Sequence, residues 1–105
     1  MWVFTKYGMV SAVKKGERIA VRARRKEHLQ KLLKFAKVPA QIQTPPNSDY
    51  RYRAFLDQEE WAEVLSLLAL GIEYPNFKDA VEDTGQPEYS DCLHRVWAEV
   101  RKIQK

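Results

Sequence analysis

Hydrophobic and polar positions alternate along the first part of the chain and then change to a helical period. Trp2 to Thr5 and Met9 to Val13 are short β-favouring runs separated by Lys6-Tyr7-Gly8, where Gly8 can supply the positive φ of a tight connection. The pattern predicts a hairpin. Arg18 to Arg24 alternates strictly, with Ile19, Val21 and Ala23 on one face and Arg18, Ala20, Arg22 and Arg24 on the other, which predicts a half-buried strand.

From Arg25 to about Lys37, Leu29, Leu32, Leu33 and Ala36 recur at helical spacing with Lys31, Lys34 and Lys37 outside the stripe, so an amphipathic helix is expected, closed before Pro39. Gln41 to Thr44 is expected to form a short edge strand, and Pro45-Pro46-Asn47-Ser48-Asp49 a turn. Tyr50 to Leu56 alternates again, placing Tyr50, Tyr52, Ala54 and Leu56 opposite Arg51, Arg53 and Phe55.

Asp57 followed by Glu60 predicts a capped helix whose main stripe is Trp61, Val64, Leu65, Leu68 and Ile72; Leu67 and Leu70 lie well around the cylinder. Asn76 and Asp79 cap a short helix over Phe77 to Glu82, ended by Gly85. A last helix is expected from Pro87 to Ile103, with Tyr89, Leu93, Val96, Val100 and Ile103 on one stripe. The order of elements predicts a single α+β domain over residues 1–105, a two-layer sandwich with a mainly antiparallel sheet and helices packed on one face.

An apolar fraction of 45% with 11% aromatics fits a folded rather than a disordered chain. The single cysteine, Cys92, excludes an intrachain disulfide. The opening residues lack a signal-peptide pattern, and the longest apolar stretch, Val64 to Ile72, is half of what a bilayer needs. A cytoplasmic location and no membrane association are expected.

Charge changes this picture most. Residues 1–53 carry 13 Lys+Arg against 3 Asp+Glu, a net +10, and residues 54–105 carry 5 against 11, a net −6. Such asymmetry points to an anionic partner for the first half. The candidate binding residues are the two arginine ladders, Arg18/Arg22/Arg24 and Arg51/Arg53. On one sheet face they would offer several forked donors to phosphates.

Trp2 and Phe4 are expected in the core, as bulky aromatics usually are; on the other face they would join Phe55 as stacking surfaces beside the arginines. The competing reading of the arginines is a solvated face, edge protection, or partners for the acidic second half. The lysines of the first helix matter for binding only if they adjoin the arginines.

Catalytic and metal chemistry find little support. Cys92 and His94 stand at i and i+2 of a helix, roughly 160° apart, a poor geometry for one metal ion. His28 stands alone. No nucleophile-elbow, phosphate-loop, zinc-protease or dithiol pattern occurs, and Asp57, Glu59, Glu60 and Glu63 suit a helix N-terminus without catalysis. No cofactor or metal is called for, and the balance is against an enzyme.

Three stretches, Met1-Trp2-Val3-Phe4-Thr5, Asp49-Tyr50-Arg51-Tyr52-Arg53 and Tyr74-Pro75-Asn76-Phe77-Lys78-Asp79, together resemble a family of small uncharacterised bacterial proteins over most of the chain. The resemblance implies a bacterial, full-length chain and supplies no activity or active site. The residues themselves point to a non-enzymatic binding or regulatory domain whose basic sheet face meets an anionic partner such as nucleic acid. The alternative is a protein-protein interaction module, a homodimer or an accessory subunit, acting through the Leu67/Leu70 face or a strand edge.

Overall fold

In the computed structural model, which describes residues 1–105, the elements run β1 (Trp2–Thr5), β2 (Gly8–Lys15), β3 (Arg18–Ala23), α1 (Lys26–Ala36), β4 (Tyr52–Leu56), α2 (Gln58–Leu70), α3 (Phe77–Glu82) and α4 (Pro87–Arg101). This is an α+β fold with one four-stranded sheet, in the order β1-β2-β3-β4, every neighbouring pair antiparallel. The chain divides into two compact units, Met1–Ile72 and Glu73–Lys105.

In the first unit, α1 and α2 bury their apolar stripes against one face of the sheet. Leu29, Leu32, Leu33 and Ala36 of α1, with Trp61 and Val64 of α2, form one cluster with Val10, Ala12, Val21, Ala23, Ala54 and Leu56. Apart from Val10 and Ala12, these are residues that the two periods assign to the inner faces of strands and helices. Both helix ends are closed by local bonds. Asp57 accepts from the Glu60 N–H while the Glu60 carboxylate accepts from the Asp57 N–H. At the end of α1, Lys37 takes the left-handed conformation (φ 57°), letting the Val38 N–H bond back to the Leu33 carbonyl before Pro39.

The β1–β2 hairpin decides which side of β1 faces the helices. Gly8 has φ 149°, and a Cβ built there would stand 2.1 Å from Cγ of His28, so the ring of His28 occupies the space over Gly8. His28 is buried on α1, and its Nδ1 accepts from the Met9 N–H at 3.3 Å. Thr5 pairs with Gly8 and is also buried, its hydroxyl donating to the Gly8 carbonyl at 2.9 Å. Alternation then turns Val3 and Thr5 inward and sends Trp2 and Phe4 to the opposite face. Trp2 is 71% exposed, which corrects the expectation of a core position.

Two other expectations change. Only Gln43, of the expected strand Gln41–Thr44, pairs with the sheet, in a single bridge to Arg53. Prolines at 39, 45 and 46 leave little room for a longer ladder there. The last strand begins at Tyr52, so Tyr50 lies outside it, and its ring packs under arginine side chains rather than in the core cluster.

In the second unit, α3 and α4 pack together, and Val81, Tyr89 and Leu93 are buried. Asn76 caps α3 by accepting from the Asp79 N–H at 3.0 Å. The stripe expected on α4 is buried only in its first half: Val100 and Ile103 are exposed, and the helix ends at Arg101. No helix is long and apolar enough to cross a membrane.

Candidate nucleic-acid interface

The face of the sheet away from α1 and α2 carries a row of residues in register, Trp2–Ser11–Arg22–Arg53–Gln43, crossing from β1 to the bridge beyond β4. Arg53 exchanges both of its backbone bonds with Gln43, at 2.7 and 3.0 Å. In an antiparallel ladder a residue directs both bonds to the same neighbour, so Arg53 and Arg22 form the non-hydrogen-bonded type of pair, in which opposed side chains come closest. Two guanidinium groups therefore start from adjacent positions on one face.

Serine hydroxyls hold these guanidiniums. Arg22 donates from Nη2 to Ser11 Oγ at 2.8 Å, and Arg53 donates from Nη2 to Ser48 Oγ. Ser48 in turn donates to the Tyr50 carbonyl at 2.6 Å. Neither arginine forms an ion pair, and the buried Nε of each has no hydrogen-bond partner. Like charges directly opposed in a ladder are destabilising, and a hydroxyl orients a guanidinium without neutralising it. The pair is thus fixed in place and electrostatically unbalanced.

Tyr50 and Asp49 complete the positioning. The guanidinium carbons of Arg22 and Arg24 lie 4.6 and 4.2 Å from the centroid of the buried Tyr50 ring. Arg24 also donates to the Asp49 carbonyl at 3.0 Å and meets its carboxylate at 3.4 Å. Arg24 therefore has a counter-charge where Arg22 has none. The segment Pro45–Asp49, legible in the sequence only as a turn, supplies the Ser48 and Asp49 contacts.

The remaining arginines extend the field. Arg18 is exposed and donates to the Phe55 carbonyl at 3.1 Å; it pairs with Lys15, adding a second cation at that end. Four residues of strand separate Arg18 from Arg22, roughly 14 Å. Arg51 is exposed just before β4. The lysines of α1 do not adjoin this surface, because α1 covers the other face of the sheet.

Aromatic side chains share the arginine face. Trp2 ends the row, and Phe4 and Phe55 are half-buried on the same side, Phe55 opposite Ala20. Trp97, the other exposed tryptophan, has Lys78 at 4.5 Å and Arg101 at 5.4 Å from a ring centroid, whereas Trp2 has no cation or ring partner. Leu67 packs against the core of the first unit, while Leu70 is 81% exposed.

Ser11, Gln43, Ser48 and Tyr50 escaped sequence reasoning as site residues. Ser11 breaks the apolar run of its strand, which is a local signal; the others join the site only through pairing and loop packing. Together the residues define an α+β sheet surface with unpaired cations beside an open aromatic. The chain matches no family model, no curated protein and no solved structure. The chemistry of this surface therefore has to carry the functional reading.

Proposed function

We propose that this chain binds nucleic acid, with the arginine-bearing sheet face engaging the phosphate backbone. The observation that carries the reading is the Arg22–Arg53 pair: opposed, hydroxyl-tethered, and lacking any carboxylate. A bridging phosphate would replace the repulsion between the guanidiniums with two charge-assisted contacts, so the anion-bound state gains on both counts. The spread of cations from Lys15 and Arg18 to Arg51 and Arg53 suits a polymer of regularly spaced charges better than a single small anion.

The test is a titration of labelled oligonucleotide at increasing salt. The logarithm of the affinity should fall linearly with the logarithm of salt concentration. For a single strand, Arg22→Ala with Arg53→Ala should make that slope shallower by about 0.7, the contribution of the one phosphate that the pair would bridge. Absence of binding at low salt would overturn the proposal.

A further inference from the structure

We infer that the nucleic acid is single-stranded, with one phosphate clamped between Arg22 and Arg53 and one base stacked on Trp2. This rests on the reading above and narrows it. The row Trp2–Ser11–Arg22–Arg53 puts a planar aromatic and a cation pair on one face, in one line across the strands. Only β2 lies between Trp2 and Arg22, so their backbones are two strand spacings apart, roughly 10 Å. A single strand presents the same two chemistries side by side, a charged backbone and flat bases.

Trp2 is the feature that decides between single and double strands. It is 71% exposed, has no cation–π or ring partner, and is turned outward by the crowding of Gly8 against His28 on the other face. Trp97 differs because Lys78 and Arg101 already lie over its ring system. An open tryptophan face can stack only on a base that has left its own stack, which unpaired strands offer and duplexes do not without melting. Phe4, two residues from Trp2 on the same face of β1 and half-buried, gives the base an apolar neighbour. Backbone recognition alone needs the arginines and leaves Trp2 without a role.

The experiment compares a single-stranded oligonucleotide with a duplex of equal length at one salt concentration, for the unaltered chain, Trp2→Ala, Trp2→Phe and the double variant Arg22→Ala/Arg53→Ala. The single strand should bind at least about tenfold tighter than the duplex. Trp2→Ala should weaken single-strand binding by about 5- to 150-fold, the range for loss of one base–aromatic stack. It should leave the salt slope unchanged, Trp2→Phe should restore much of the loss, and the double arginine variant should flatten the slope. Trp2 is exposed, so the unfolding midpoint should not move.

Equal binding of duplex and single strand, with Trp2→Ala without effect, overturns this inference while leaving backbone recognition standing. Loss of affinity in Trp2→Ala with a flattened salt slope also overturns it, because the tryptophan would then be acting through the phosphate contacts. No binding of either nucleic acid at low salt removes both this inference and the proposal beneath it.

Discussion

Arg22 and Arg53 stand opposite one another on β3 and β4, each held by a serine hydroxyl and neither by a carboxylate. Opposed like charges cost the folded protein stability, and both Nε donors are buried without partners. The sheet register imposes the pairing and the Pro45–Asp49 segment helps to hold it. A bound anion would relieve it.

Inorganic phosphate should therefore stabilise the protein. Binding to the folded state alone raises stability by RT ln(1 + [L]/Kd), so the unfolding midpoint should rise with phosphate at constant ionic strength. Phosphate also acts on proteins generally by exclusion from their surfaces, and the comparison that isolates the site is Arg22→Ala/Arg53→Ala. Calorimetric scans of the two proteins should differ, with the excess stabilisation present only in the unaltered chain.

Gly8→Ala should destabilise the first unit. The new methyl would collide with the His28 ring, whose Cγ stands 2.1 Å from the Cβ position, and alanine disfavours φ 149°. A loss on the order of 1–3 kcal/mol is expected from either overpacking or backbone strain. Chemical denaturation reads it directly, and a change below about 0.5 kcal/mol would contradict this account of the hairpin.

Asp57→Ala should cost about 1 kcal/mol, because it leaves the Glu60 N–H without its side-chain acceptor. Asp57→Asn keeps an acceptor oxygen at the same place and should recover most of the loss. Denaturant midpoints of the three proteins give the comparison.

Leu67→Glu and Leu70→Glu should behave differently although they are three residues apart on α2. Leu67 packs against the core of the first unit, so a carboxylate there should destabilise by roughly 1–3 kcal/mol. Leu70 is 81% exposed, and Leu70→Glu should fall within about 0.5 kcal/mol of the unaltered chain. Leu70→Glu is consequently the clean variant for mass measurements in solution: association through that end of α2 should be lost without loss of the fold.

Much of the fold was legible because its causes are local. Alternation marked β3 and the run into β4, helical spacing marked α1, and Asp57 with Glu60 and Asn76 with Asp79 marked two helix starts through side-chain bonds reaching three residues along. The site was only half legible. Arg18, Arg22 and Arg53 could be placed opposite an apolar row by counting twos, but the period of a strand does not say which residue stands across from which.

The sequence by itself determined that this is an α+β chain with arginines on the polar side of two strands. Tertiary structure decided what those arginines meet. The antiparallel register set Arg22 against Arg53; the fold of the Pro45–Asp49 segment brought Ser48 to Arg53 and Asp49 to Arg24, and Tyr50, just beyond it, lies under Arg22 and Arg24. Trp2 is the clearest case. Its strand has apolar residues on both faces, so hydrophobicity could not choose between them, and the choice came from His28, which fills the space above Gly8 and so assigns the inner face to Val3 and Thr5. Side-chain period is carried by neighbouring residues, whereas facing depends on a contact made twenty residues away along the chain.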